Sequence, residues 1–282
     1  MTMREGFDYF PAPAKLNLLL RIIGKRDDGY HSLQTVFRLI DFADSIGFRL
    51  IPQNEVRRVS HHSWSDADDL SVRAARLLVE RYSVNQGVEL DVLKRIPHGG
   101  GLGGGSSDAA TVLLVMNKLW ALNLTRRELQ ELAVSLGADV PFFIFGRNAF
   151  AEGIGEQFSP MDLGEACYLV VHPNCSVSTA SVFGDSELTR NSKPIKIADF
   201  SSHEGRNDLQ DTVCRLYPEV QSVLEWLGQH GPAAMSGSGS SIFCPFADPE
   251  RAKALLTKVP PCWFGFVARG LDHHPLFDLT GD

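Results

Sequence analysis

A chain of 282 residues, 44% hydrophobic and 22% charged, has the apolar content of a folded globular protein and is long enough for two domain-sized cores. Its formal charge of −7 and isoelectric point near 5.7 exclude a general basic surface for nucleic acid or anionic lipid, though not a local basic pocket. The five cysteines, Cys167, Cys175, Cys214, Cys244 and Cys262, are widely spaced and form no CxxC pair, so neither a disulfide framework nor a zinc site is indicated.

The N-terminal MTMREGFDYF lacks the apolar core of a signal peptide, and no later run reaches the roughly 18 apolar residues of a membrane helix. A cytoplasmic protein is expected. Leu70, Ala74, Leu77 and Leu78 form a helical stripe after the acidic Asp66, Asp68 and Asp69. Val88, Leu90 and Val92 alternate with polar residues as in a half-buried strand, which ends at Arg95-Ile96-Pro97. Beyond a glycine run, the spacing of Ala109, Val112, Leu113, Met116 and Leu119 predicts a helix over 107–120. A second helix opens at Thr125, with Glu128 at capping-box spacing, and stops at Gly137, leaving Asp139 just beyond its end.

Turn formers crowd 157–166 before an apolar strand at Tyr168, which puts a boundary near residue 155 and predicts lobes over 1–155 and 156–282. The second lobe reads as a polar surface excursion over 191–205, a mixed-polarity helix over 208–227, a glycine-serine loop over 236–241, a strand from Ile242, a helix over 249–258 and a strand over 262–268. Two α+β lobes with a cleft between them are implied.

Six of the seven residues from Gly99 to Gly105 are glycine. Glycine permits positive φ and lets a ligand approach the backbone N–H groups, while a following helix adds unpaired N–H groups and about half a positive charge. The product is an anion site suited to a di- or triphosphate. A Walker A loop is disfavoured because Ser106 follows Gly105 with no lysine between, and a Rossmann fingerprint because Arg126-Arg127 replaces the acidic residue about twenty positions on. Ser106 and Ser107 place hydroxyls where a phosphate, its Mg²⁺ or only a helix N-cap would need them. Asp108 reads as a residue that complements the helix dipole.

Several separated motifs together carry a resemblance that spans nearly the whole chain. They are Pro13-Ala14-Lys15-Leu16-Asn17-Leu18, Asp28-Gly29-Tyr30-His31 with Leu33-Gln34-Thr35, the glycine loop with Ser106-Ser107, Gly137-Ala138-Asp139-Val140-Pro141, and Ser236-Gly237-Ser238-Gly239. The chain resembles the GHMP kinase superfamily and, within it, the family of kinases that act on 4-diphosphocytidyl-2-C-methyl-D-erythritol. The resemblance implies an α+β fold with an N-terminal lobe like the second domain of ribosomal protein S5 and a ferredoxin-like C-terminal lobe, the active site lying in the cleft. It implies transfer of a phosphoryl group from ATP, accompanied by Mg²⁺, to the 2-hydroxyl of that small-molecule substrate in the non-mevalonate isoprenoid route; no nucleic-acid or membrane partner is expected, given the acidic balance and the lack of a membrane-length apolar run. It leaves the oligomeric state open between monomer and homodimer.

By the same resemblance Lys15 and Asp139 form the catalytic pair. A carboxylate beside an attacking hydroxyl and a cation beside developing charge suit phosphoryl transfer on chemical grounds as well. The ATP site falls on Pro97, Gly99, Gly100, Gly101, Leu102, Gly103, Gly104, Gly105, Ser106 and Ser107, with Ser107 a candidate for Mg²⁺. The acceptor falls to Asn17, to Tyr30 and His31 at its cytidine end, to Phe37 and Phe183 as ring walls, and to Gly237, Ser238 and Gly239 by its phosphates. Asp69 stands where some relatives place an asparagine near adenine. The pairs His61-His62 and His273-His274 lack further ligands at metal spacing and read as solvent-exposed.

Overall fold

The computed structural model describes residues 3–200 and 206–281. Two long strands, β1 (Asp8–Lys25) and β2 (His31–Ile51), pair antiparallel along almost their whole length. Register shifts at Pro13/Ala14 and Asn17/Leu19 bracket the short run that carries Lys15 and Asn17. Such irregularities bend a ribbon and re-aim its side chains. β3 (Val56–Arg58) and β4 (Gly87–Leu93) extend the sheet beyond β2.

Helices cover one face of this sheet. In α1 (Leu70–Tyr82) the Asp69 carboxylate caps the first turn, accepting the Ser71 N–H at 2.8 Å. The central helix, α2 (Gly104–Leu119), is buried at every position from Ser107 to Asn117. The predicted start at Ser107 is therefore three residues late. In α3 (Arg126–Ala133) the Thr125/Glu128 capping box forms as expected, and α4 (Val140–Phe145) begins directly after Asp139 and ends at left-handed Gly146. A hairpin of β5 (Ala149–Glu152) and β6 (Gln157–Pro160) returns to pair with β2.

The second lobe contains β7 (Cys167–His172), α5 (Thr179–Gly184), β8 (Arg206–Asn207), α6 (Gln210–Leu216), α7 (Pro218–Gly228), β9 (Ala234–Met235), β10 (Ile242–Phe246), α8 (Pro249–Leu256) and β11 (Phe264–Leu271). The helix expected over 208–227 is thus two helices, because Tyr217 leaves helical geometry (φ −131°, ψ 88°) and Pro218 starts a new one. The polar segment from 191 lies along β1 and β2: the Ser192 N–H donates to Ile22 O at 3.0 Å and the Ile195 N–H to Gln34 Oε1 at 2.8 Å. Its last residues, 201–205, lie outside the described residues.

The sheet runs β3-β4-β2-β11-β7-β10-β9, so β11 joins the two lobes by pairing with β2 on one side and β7 on the other. The boundary expected at 155 falls inside the turn of the β5–β6 hairpin, and the chain after β11 goes back to the first lobe, where Leu276 packs into its core. A cluster including Leu16, Leu18, Ile40, Leu102, Tyr168, Val170, Phe243 and Phe266 draws on both lobes. Each large side chain so buried contributes about 1.5–3 kcal/mol, which holds the walls of the cleft in register.

Two polarity readings are corrected. β4 is buried on both faces, because Arg49 and Arg57 cover Glu89 while Tyr9 Oη donates to Asp91 at 2.5 Å. His61 and His273 are exposed as expected, but His62 is half-buried against Trp64, and His274 is 2% exposed. The His274 Nδ1 accepts the Leu276 N–H at 3.0 Å, and burial beside Arg126 pushes its pKa down to about 3, so it is a neutral hinge of the returning tail.

Gly270, opposite Ile40 on β2, makes room for a wholly buried arginine: a Cβ there would lie 1.9 Å from Arg38 Nη2 and 2.1 Å from Nε. Overpacking typically costs about 1–3 kcal/mol, and here the displaced group is a buried cation held to Gly164 O at 2.8 Å. Gly270→Ala is expected to reach or exceed the top of that range in urea denaturation. An unchanged midpoint would show that Arg38 moves aside freely.

Candidate active site

A cleft of about 680 Å³ opens between the lobes and takes its lining from β1, β2, the glycine loop, the start of α1, the turn before α4, α5 and the loop after β9. Residues 97–106 all border it. The loop turns through left-handed glycines, with φ of +66° at Gly99 and +73° at both Gly101 and Gly103. Gly103 is the N-cap of α2 and supplies no side chain, so the first N–H groups of the helix have no capping partner from it. Free N–H groups at the start of a buried helix of sixteen residues form a ready anion site.

Ser106 lines the cleft, but Ser107 does not. Because α2 starts at Gly104, Ser107 is rotated into the interior, where it is 0% exposed and its hydroxyl lacks a protein partner. Its expected place beside Mg²⁺ is therefore not supported by its orientation. Asp108 also departs from the sequence reading. It is buried and accepts from Lys94 Nζ at 2.6 Å, and the same ammonium pairs with buried Asp44. Burial first, and then the neighbouring Asp44, push the Asp108 carboxyl up, to about 8, against the pull of Lys94. Asp44 Oδ1 in turn accepts the backbone N–H groups of Arg95 (2.5 Å) and Ile96 (2.8 Å). The cluster thereby ties the strand entering the loop to the helix leaving it. Sequence reasoning missed it, since Asp44, Lys94 and Asp108 lie on three elements.

Lys15 and Asp139 come together as expected. The Lys15 ammonium is 3.3 Å from Asp139 Oδ2, and the lysine is 3% exposed while the aspartate side chain is 34% exposed toward the cleft. Lys15 Nζ also donates to Asn17 Oδ1 at 2.5 Å and to Gly101 O at 3.0 Å. The orientation of the Asn17 amide follows from a chain: Thr35 Oγ1 donates to Leu19 O at 2.6 Å and so accepts from Asn17 Nδ2 at 2.8 Å, turning Oδ1 toward the lysine. Beneath, the Phe37 ring lies 5.6 Å from the ammonium and stacks on Phe142 at 4.4 Å. Phe37 is 2% exposed, a core residue whose edge forms the floor of the site. Asp139 occupies the N-cap position of α4 but makes no side-chain cap, so local helix structure does not account for the carboxylate.

The late loop closes over these groups. Ser236 Oγ donates to Gly101 O at 2.9 Å and accepts the Asn17 N–H at 3.1 Å. Asn207, which sequence reasoning passed over, donates from Nδ2 to Met235 O at 2.8 Å and Gly237 O at 2.7 Å. Gly237, Ser238 and Gly239 line the cleft, with the Ser238 hydroxyl 2.7 Å from that of Thr179 on α5. Phe183 lines it too, and His31 lies against Phe183 with ring centroids 5.1 Å apart. Tyr30 is 61% exposed beside them.

Asp69 borders the cleft with its carboxylate already engaged. Besides capping α1, it accepts from Trp64 Nε1 at 3.0 Å and from Arg58 Nη1 at 2.5 Å. It holds Trp64 in the cleft wall, where the indole is stacked 5.5 Å from His98 of the loop.

Comparison with known proteins agrees with this arrangement. Residues 69–147 match the family model of the GHMP kinases N terminal domain, and residues 187–263 match that of the GHMP kinases C terminal domain. The chain is 53% identical over 272 residues to the 4-diphosphocytidyl-2-C-methyl-D-erythritol kinase of Thiobacillus denitrificans, covering 96% of this chain and 98% of that protein. The enzyme of the same name from Nitrosospira multiformis is 53% identical over 274 residues, covering 96% and 93%. A crystal structure of 4-(cytidine 5'-diphospho)-2C-methyl-D-erythritol kinase superposes with a TM-score of 0.81 at 31% identity, over 93% of this chain and 99% of that one. A homoserine kinase from Cytophaga hutchinsonii shares the fold at a TM-score of 0.64 and 15% identity, over 97% of each chain. With its two-lobe sheet, glycine loop and Lys15–Asp139 pair, the chain belongs to the GHMP kinases and, within them, to the family of the 4-diphosphocytidyl-2-C-methyl-D-erythritol kinases.

Proposed function

We propose that this protein transfers the γ-phosphoryl group of ATP to the 2-hydroxyl of 4-diphosphocytidyl-2-C-methyl-D-erythritol, a step of the non-mevalonate route to isoprenoid precursors. The observation that carries the reading is the Lys15–Asp139 contact at 3.3 Å, set beside a glycine loop at a helix N-terminus in a chain with about half its residues identical to those of named family members. Asp139, the exposed member, takes the proton of the acceptor hydroxyl as the new phosphate ester bond forms. Lys15, held by Asn17 and Gly101, steadies charge on the oxygens in flight. The N–H groups of the loop and of the first turn of α2 receive the ATP phosphates.

Among the described residues no group of three or more His, Cys, Asp or Glu could hold a metal ion. Mg²⁺ would therefore be held largely by phosphate oxygens, with the Ser106 hydroxyl the side-chain donor of the loop that faces the cleft. The ion supplies positive charge that offsets the phosphates. Among the described residues no helix is long and apolar enough to cross a membrane, and the five cysteines are free thiols, which suits the reducing cytoplasm.

ADP release measured with 4-diphosphocytidyl-2-C-methyl-D-erythritol, homoserine and mevalonate in parallel tests reaction and acceptor together. The first is expected to exceed the others by at least about 10³-fold in kcat/KM, the discrimination of a site that binds a substrate's polar groups. Faster turnover of either alternative would overturn the acceptor assignment.

A further inference from the structure

The Phe183 side of the cleft is held by a residue that phosphoryl transfer does not use. Phe183 sits near the C-terminus of α5 in the second lobe, whereas His31 opens β2 in the first, and their rings meet at 35°. Arg190 reaches both. Its Nη2 donates to Phe183 O at 2.9 Å and Asp185 O at 2.6 Å, its Nη1 to Leu188 O at 3.0 Å, and its Nε to His31 Nε2 at 3.2 Å.

The Phe183 and Asp185 carbonyls belong to the end of a six-residue helix, where carbonyls lack partners of their own. A guanidinium has no acceptor, so Nε2 of His31 must be the accepting nitrogen. The imidazole is then neutral with its proton on Nδ1. Its surroundings agree: burial first, then the charges of Arg190 and of Lys25, its partner in register on β1, push its pKa down. Asp185 does not offset them, because its carboxylate is spent on Arg215 at 2.7 Å.

We infer that Arg190 is a positioning residue for the nucleotide end of the acceptor: one guanidinium fastens the end of α5, and with it Phe183, to His31 across the lobes and fixes the tautomer of that imidazole. The inference rests on the acceptor assignment made above. Arg190 is absent from the cleft lining and makes no contact with Lys15 or Asp139, so its loss affects acceptor binding rather than the chemical step. Lysine in its place offers a point charge without the fork that reaches three carbonyls and a ring nitrogen together.

The test compares wild type with Arg190→Met and Arg190→Lys, in steady-state kinetics with each substrate varied and in ¹⁵N NMR of the His31 ring. Both variants are expected to raise the acceptor KM about tenfold or more, with kcat and the ATP KM within about twofold of wild type. In wild type His31 should show a protonated Nδ1 and an unprotonated Nε2, and in Arg190→Met that preference should be lost. An unchanged acceptor KM, a proportional fall in every kinetic parameter, or a His31 tautomer identical in Arg190→Met would overturn the inference. If wild type fails to turn over the diphosphocytidyl acceptor, it is the acceptor assignment that falls, and the NMR comparison still decides whether Arg190 sets the state of His31.

Discussion

Asp139→Asn is expected to lower kcat by about 10²–10⁴-fold, the range attributed to a positioned general base, while the dissociation constant for a non-hydrolysable ATP analogue changes less than about twofold. The substitution isolates proton acceptance because little else depends on the carboxylate. Asp139 makes no side-chain cap on α4, and Lys15 keeps its bonds to Asn17 Oδ1 and Gly101 O when the charge opposite is removed. The amide fills the same volume but cannot take the proton of a hydroxyl. Rapid-quench turnover together with calorimetric titration of the analogue separates the two effects. Turnover within tenfold of wild type would remove Asp139 from the mechanism.

The second large effect belongs to the glycine loop. At Gly101, φ is +73° and a Cβ would lie 2.0 Å from Ser236 O and 3.0 Å from Gly239 O, both backbone atoms of the late loop. Gly101→Ala thus combines a left-handed penalty of about 1–2 kcal/mol with overpacking of about 1–3 kcal/mol. The Gly101 carbonyl also accepts from Lys15 Nζ and from Ser236 Oγ, so forcing the loops apart unseats Lys15 and opens the glycine loop together. Expected results are a rise of at least about 100-fold in the ATP KM and a stability loss of about 2–5 kcal/mol. Gly105→Ala is the control. A Cβ there meets only Leu70 Cδ1 at 3.6 Å, inside a helix that prefers alanine, so denaturation should show no loss of stability. If Gly101→Ala behaves like Gly105→Ala, the steric account of the loop is wrong.

What could be read from the sequence was chemistry that is local along the chain. Thr125 and Glu128 are three residues apart and close on each other, and the glycine run points to an anion site without outside help. The pairing of Lys15 with Asp139 was legible only through the likeness of separated motifs, because nothing in either stretch alone says that 124 positions close to 3.3 Å. Alternation misjudged β4 because the arginines that cover Glu89 come from β2 and β3. His274 looked like one of an exposed pair because its burial comes from folding back onto the helices of the first lobe. Ser107 was misplaced because α2 starts three residues earlier than expected, which puts it inside the helix, about 100° round from the cleft-lining Ser106.

The placement of β11 bears on how the protein is made. Translation delivers β1, β2 and the glycine loop early, yet the edge of β2 that meets the second lobe stays open until Gly270 and Leu271 arrive to pair with Ile40 and Leu39. A chain lacking only β11 would hold Lys15, Asp139 and the glycine loop and still expose unpaired edges on β2 and β7, the kind of surface on which chains aggregate. Loss of β11 alone is thus expected to compromise folding, although none of the candidate site residues lies in it.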